Sequence, residues 1–253
     1  MDEPLPDLSK IPILRRWIPS LRKRWQRLKT TNGNAIKKTE FGTFLLRLDN
    51  YVDRQLMMHG AYERAQIYHL ISEFERHGGK LFFDIGANFG LYAIAVANRF
   101  AHAKVHAFEP DWRDFNQFQG NCFLNGIGPD RVRMHAYGLS DREGSLPFQL
   151  MPATSTGQSR ITGVEEGANA MIDVKRFDDQ FAHESNVLFF KIDVEGHEPS
   201  VLNGMTRTLS TNQCFLQLEI FGDPAGVEAI LAPMGYVAVH RIGDDHYFSN
   251  LAG

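Results

Sequence analysis

The stretch Asp193-Val194-Glu195-Gly196-His197-Glu198 sets two carboxylates and an imidazole at alternate positions and ends on a third acid. Side chains of these types exchange protons near neutral pH, and one that takes the proton of a hydroxyl contributes on the order of 100- to 10,000-fold to a rate. Because they alternate along a short turn, they do not all face one point. Asp193 is the first candidate for a base that orients an acceptor, His197 the second, and Glu195 completes the catalytic set; a structural acid and a helix cap are the competing readings of Asp193 and His197. A second signal lies upstream in Asp84-Ile85-Gly86-Ala87-Asn88-Phe89-Gly90, followed by Glu109. Gly86 permits a backbone conformation that a side chain forbids, and Gly90 lets a helix begin close to its neighbours. Amides at such a helix start face a ligand, and an acid about 20 residues on is expected to bind ribose hydroxyls. A dinucleotide fingerprint would need glycines at 88 and 91, where Asn88 and Leu91 stand, so the turn suits another nucleoside.

These residues require strands and helices to hold them. Leu81 to Ile85 is an apolar run, and Leu91, Ile94, Ala95, Val96 and Phe100 recur at helical spacing, which predicts a strand, a tight turn and a helix. Lys104 to Phe108 is a second strand, and Pro110 opens the next helix. Val187 to Ile192 is nearly all apolar apart from Lys191, as a strand buried on both faces should be. Asp193 therefore sits at the carboxyl end of a core strand, where ligands bind in open α/β sheets. A helix over 62–76, a third strand over 132–139, a fifth over 214–220, a last helix through Val227 and Met234, and a hairpin through Gly243-Asp244-Asp245 complete the pattern. Five βα steps and a hairpin predict an α/β fold whose central sheet is mostly parallel with an antiparallel edge hairpin. The segment from Asp141 to Phe181 breaks this rhythm and reads as a lid or binding insert, with Ser155, Thr156, Ser159 and Arg160 as acceptor contacts or as parts of a mobile polar loop. The division expected is a basic amphipathic arm over 1–35, a cover strand and helix over 36–80, and a catalytic domain over 81–253.

Asp-Ile-Gly-Ala-Asn-Phe-Gly-Leu-Tyr at 84–92, Ala-Phe-Glu-Pro at 107–110 and Phe-Lys-Ile-Asp-Val-Glu-Gly-His-Glu at 190–198 resemble the signature stretches of the FkbM-type S-adenosylmethionine-dependent methyltransferases. The resemblance runs from about Tyr62 to Glu219, and the third stretch is its most specific part. It implies a class I methyltransferase Rossmann-like fold with S-adenosyl-L-methionine as cofactor. Asp84, Gly86, Ala87, Asn88, Gly90, Glu109, Ser140 and Asp193 would surround that cofactor, with Ser140 a candidate for the adenine amino group and Asn121 and Asn125 near the adenine side. The reaction implied is O-methylation of a sugar, glycolipid or secondary-metabolite hydroxyl, an in-line displacement in which positioning supplies ~7 to 11 kcal/mol of the barrier. Tyr62-Glu63 resembles a short signature before the first helix; otherwise Glu63 is a first-turn acid favoured by the helix dipole. Asp193, Glu195, His197, Glu198 and Glu219 would make a hard-oxygen metal site only if Glu219 lies beside Asp193; no metal is assigned. The reading from another class is a catalytically silent nucleoside-binding module, which keeps Glu109 and the glycine turn but has no use for Asp193.

At 253 residues and 43% apolar content the chain suffices for one well-buried α/β domain with an extension. Cys122 and Cys214 have neither metal nor redox spacing and read as buried thiols. The net charge of -3 conceals an asymmetry: residues 1–39 carry ten basic and three acidic side chains, the remainder 17 basic and 27 acidic. Leu14, Trp17, Ile18, Leu21, Trp25 and Leu28 recur at three- or four-residue steps among arginines and lysines, a basic amphipathic element. It suits peripheral contact with an anionic membrane surface or an acidic lipid-linked glycan, or else lies on the acidic domain as a helix or partly disordered arm. The acidic body and the absence of an Asn-Pro-Pro-Tyr tetrad argue against nucleic acid, leaving a small-molecule or glycan acceptor as the expected partner. No apolar run approaches ~18 residues and the first residues lack a secretory pattern, so the expected location is cytoplasmic, with peripheral contact at the inner membrane surface.

Overall fold

The structure is a computed structural model, and it describes residues 33–163, 167–182 and 186–251. The basic periodicity lies outside those residues. Strands β1 (Asn34–Lys38) and β2 (Thr43–Arg47) form an antiparallel hairpin, followed by helices α1 (Tyr51–His59) and α2 (Arg64–Arg76). The cover is therefore a hairpin and two helices where one strand and one helix were expected. The start of β1 falls inside the stretch assigned to the arm, and α1 follows an Asn50 side chain that accepts from the amides of Val52 and Asp53.

The core then runs β3 (Leu81–Ile85), α3 (Leu91–Arg99), β4 (Lys104–Phe108), α4 (Trp112–Leu124) and β5 (Val132–His135). A four-stranded side sheet follows, made of β6 (Gly138–Leu139), β7 (Gly144–Gln149), β8 (Arg160–Ile161) and β9 (Ala170–Lys175). The chain returns through α5 (Phe177–Gln180) to β10 (Val187–Ile192), α6 (Glu198–Asn203), α7 (Thr206–Thr211), β11 (Gln213–Glu219), α8 (Ala225–Leu231), β12 (Val237–Ile242) and β13 (Asp245–Ser249). Among the described residues the central sheet has seven strands in the order β12-β13-β11-β10-β3-β4-β5. The five from β11 to β5 are parallel, and β13 enters antiparallel between β11 and β12. The strand order reverses between β3 and β10, so the crevice at their carboxyl ends is the ligand position of this architecture.

The sheet is buried on both faces. Phe82, Phe189 and Phe215 point into one core with Ile94, Val105 and the apolar face of α2, while Phe83, Phe190 and Leu216 point into the other with Phe108, Leu202 and Phe248. Side-chain alternation along paired strands produces this division, and each fully buried large side chain contributes ~1.5 to 3 kcal/mol relative to exposure. Where the sequence suggested a lid-like loop over 141–181, Leu146 and Phe148 on β7 pack against Ile172 and Val174 on β9. The spacing of two within each pair is the strand signal.

Candidate active site

From β3 the chain turns through Gly86 (φ +81), Asn88 (φ +51) and Gly90 (φ +86) into α3. A Cβ on Gly86 would stand 1.8 Å from the carbonyl oxygen of Asp193, and one on Gly90 would stand 2.1 Å from the ring of Phe118. Both glycines thus let neighbouring segments close on the turn, the end of β10 at one and α4 at the other. The amides of the turn before the helix are spent inside the protein, and of the helix-start amides expected to face a ligand that of Ala93 goes to Asp84. Gly86 and Ala87 donate to the Phe108 carbonyl at 3.0 Å each, Asn88 donates to Glu109 Oε2 at 2.8 Å, and Phe89 donates to Asn88 Oδ1 at 2.8 Å. The Glu109 carboxylate, whose Oε1 also accepts from the Asp111 amide at 2.7 Å, is therefore oriented by two backbone donors. It lines a narrow cleft with Gly86, Asn88, Phe108, Leu139 and Ile161. Burial, together with nearby Asp114, pushes its carboxyl well above the ordinary value despite those amides.

On the other side of the turn lies a wider cavity of about 630 Å³, lined by Tyr62, Glu63, Ala87, Tyr92, Lys191, Asp193, Glu195, Glu219 and Phe221. Lys191 Nζ stands 2.8 Å from Asp193 Oδ2 and 4.7 Å from the centroid of the Tyr92 ring. Burial alone would raise Asp193, but Lys191 and a hydrogen bond from Glu219 outweigh it and hold the carboxyl below its ordinary value. Glu219 is the complementary case: burial and the Asp193 charge push it up to about 10, so it keeps its proton and donates it. This is a carboxylic acid hydrogen-bonded to a carboxylate, with a lysine balancing the charge. Glu195 faces both clefts, and burial followed by the Asp193 charge pushes it up to about 7. Glu63 is no ordinary first-turn acid. It holds the N-cap position of α2 in a left-handed conformation, makes no side-chain cap hydrogen bond, and faces the cavity.

Other candidates stand elsewhere. His197 Nε2 lies 2.9 Å from Ser140 Oγ, and Ser140 also donates to Asp141 at 3.2 Å. Neither His197 nor Ser140 is among the side chains lining the two clefts, so the second-ranked base and the adenine candidate are bound to each other. Asp84 is buried under the turn, where Oδ2 accepts from the Ala93 amide at 3.0 Å and Lys191 is its register neighbour on β10. It supports α3 from within and lines neither cleft. Glu198 accepts from the amides of Val194 and Gly196 at 3.1 Å each and so clamps the loop after β10. Glu219 does lie beside Asp193, but His197 and Glu198 turn away, and no grouping of three such ligands suited to a metal occurs among the described residues. Asn121 and Asn125 do not face an adenine pocket. Asn121 accepts from the Leu45 amide at 2.6 Å, Asn125 from the Thr43 amide at 2.9 Å, and Gln117 donates to the Leu45 carbonyl at 2.9 Å. This row at four-residue spacing, two residues on α4 and one at its C-cap, satisfies the edge of β2.

Sequence reasoning missed the network that roofs the narrow cleft. Arg47 Nη2 reaches Asp114 Oδ1 at 2.5 Å and Thr156 Oγ1 at 2.8 Å, while Asn50 donates to the same Thr156 oxygen at 2.7 Å. Arg113 grips Asp111 at 2.6 Å, and Ser159 donates to Asp111 at 3.1 Å. Thr156 and Ser159, read as acceptor contacts, are instead fastened to the acids beside Glu109. Only their hydroxyl types signalled this, because the partners lie more than 40 residues away.

A parallel sheet reversing between β3 and β10, with a glycine turn, a ribose-type acid and a second cavity at its carboxyl edge, defines the class I methyltransferase fold. Residues 84–238 match the methyltransferase FkbM domain, more than half of the chain. The hexuronic acid methyltransferase AglP of Haloferax volcanii is 30% identical over 153 residues, 59% of this chain and 60% of that protein. The methyltransferase sdnD of Sordaria araneosa is 26% identical, over 60% of this chain and 72% of that one. In structure, methyltransferase FkbM from Methylobacillus flagellatus KT aligns with a TM-score of 0.50 at 19% identity, covering 67% of this chain and 43% of that chain, a likeness of fold. The chain spans about 60% of the length of AglP. It belongs to the FkbM methyltransferase family.

The residues present fit the cofactor of such enzymes, S-adenosyl-L-methionine. Glu109 offers carboxylate oxygens for a ribose diol, Phe108, Leu139, Phe148 and Ile161 offer apolar walls for a base, and the acids of the wider cavity suit a cationic sulfonium and ammonium.

Proposed function

We propose that this chain is an S-adenosylmethionine-dependent O-methyltransferase whose acceptor is a hydroxyl of a sugar, glycolipid or related secondary metabolite. The observation that carries the reading is the Lys191–Asp193–Glu219 cluster, set in a cavity that adjoins the Glu109 cleft at the strand ends. Bound S-adenosylmethionine supplies a methyl group on a positively charged sulfur. Glu109 binds the ribose, and the apolar walls of the narrow cleft hold the base. Asp193, kept ionised by Lys191, accepts a hydrogen bond from the acceptor hydroxyl and turns its lone pair toward the methyl carbon. The neutral Glu219 fixes the rotamer of Asp193, so the orientation is set before the acceptor arrives. Tyr51 and Phe221, both exposed on the cavity lining, offer faces for a sugar ring. A hexuronic acid is what the name of AglP says of that relative, and it makes uronates the first acceptors to try. The basic arm over 1–35 would bring the acidic body to an anionic membrane surface or glycan.

The test is incubation with labelled S-adenosylmethionine against hexuronic acids, neutral hexoses, glycolipids and a metabolite extract, followed by mass analysis of products. Label on a sugar oxygen supports the reading. Cofactor binding without transfer to any acceptor favours the silent nucleoside-binding module.

A further inference from the structure

Among the described residues three non-glycine side chains adopt left-handed backbone: Glu63 (φ +49), Asn88 (φ +51) and Glu195 (φ +54). All three line the wide cavity. Such a conformation is costly for a residue with a Cβ, persists only where its surroundings hold it, and concentrates at functional sites. Asn88 has an evident reason, since Asn enters this region readily and its side chain closes the glycine turn on the Phe89 amide. Glu195 sits between the two clefts. Glu63 has no local reason, because it begins α2 without capping it. What the left-handed turn achieves is to bring the carboxylate into the cavity rather than along the helix.

There it meets groups from every element around it: Lys191 and Asp193 at the end of β10, Tyr92 from α3, Asp245 from β13, Glu219 from β11 and the adjacent Tyr62. Tyr62 and Tyr92 stand close enough to influence its charge. We propose that Glu63 is a catalytic residue, the carboxylate that receives the acceptor's proton while Asp193 orients the same hydroxyl. The inference rests on the methyl-transfer reading above. In balance, the acceptor O–H bond breaks and its proton passes to a Glu63 oxygen. The new O–CH3 bond forms as the S–CH3 bond breaks with its electron pair on sulfur, and Glu63 then returns the proton to solvent. Asp193 is the poorer proton acceptor, since Lys191 and Glu219 already occupy it, and Glu219 already holds a proton. Burial pushes Glu63 up to about 7, opposed by Lys191, so it can both take and release a proton near neutral pH.

Carbon NMR of a chain labelled at its glutamate carboxyls, compared with E63Q, should show one resonance titrating near 7 in the wild type that the variant lacks. With a methyl hexuronide as probe acceptor, E63Q should lose about 100-fold in kcat and the acid limb of its pH profile, with KM for S-adenosylmethionine within about twofold. E63D, which keeps a carboxylate on a shorter arm, should retain the limb at reduced kcat. A Glu63 resonance titrating near the ordinary glutamate value overturns the inference, as does a loss in E63Q confined to KM for S-adenosylmethionine, which would make Glu63 a ligand of the cofactor's ammonium. If the wild type methylates no probe while Glu63 titrates near 7, the sugar reading fails and the poised carboxylate stands.

Discussion

Asp193 shows how little a residue's type says about its state. The same carboxyl, buried without Lys191 at 2.8 Å, would be driven neutral; with it, the carboxyl stays charged while Glu219 takes the proton. Asp193→Asn should therefore lower turnover by ~100-fold or more while cofactor affinity, read by calorimetry, stays within a few-fold. A variant that loses affinity but turns over normally at saturation would make Asp193 a cofactor ligand instead. Glu109→Ala should weaken cofactor binding by at least ~1.5 kcal/mol, within the range for a buried polar group left without its partner. Glu219 carries a pH signature of opposite sign to that of a paired acid. Its folded value of about 10 stands above the ordinary 4.5, so as pH rises the unfolded chain releases this proton first. Its contribution to stability accordingly falls with rising pH between those two values. Glu219→Gln keeps a donor toward Asp193 and removes the titration, so the drop in Tm from about pH 5 to about pH 9 should shrink in that variant. An unchanged drop would mean that Glu219 ionises normally.

At the scale of elements, the site depends on how closely β3 and β10 approach at their carboxyl ends. Asp193 donates its amide to the Ile85 carbonyl at 3.0 Å, and its own carbonyl lies where a Cβ on Gly86 would be. Gly86→Ala should thus do double damage, through a left-handed φ and through a clash that pushes the two strand ends apart. A loss of ~3 kcal/mol or more is expected, visible as a lower Tm and as weaker cofactor binding. A variant as stable as the parent would show that the turn relaxes without moving Asp193. The glycines at 86 and 90 and the apolar runs beside them were legible because local sterics and strand periodicity speak through neighbouring residues. The side sheet was less so, since β7 and β9 are short and separated by more than 20 residues. Asn121 and Asn125 serve β2 instead of an adenine because an amide side chain suits a ligand or a backbone edge equally well, and only the position of β2 decides.

For the whole molecule, the family match begins at residue 84, yet Tyr62 and Glu63 line the wide cavity and Arg47 and Asn50 hold Thr156 of the narrow cleft, all from the cover in front of it. The cover thus contributes side chains to the candidate site. Deleting residues 1–30 should leave cofactor affinity within about twofold by calorimetry, since the glycine turn and Glu109 that would hold the cofactor lie within the family-matched residues 84–238. A large loss would join the arm to the site. No helix among the described residues is long and apolar enough to cross a membrane. By itself the sequence determined the βα order, the place of the glycine turn and of Glu109, and the end of the strand where Asp193 lies, because strand and helix periods and turn sterics are local. Tertiary structure alone decided which acids share protons, that His197 pairs with Ser140, and that Glu63 enters the cavity. Desolvation and charge pairing depend on groups far apart in the chain that come within hydrogen-bonding distance only when the sheet and its cover close.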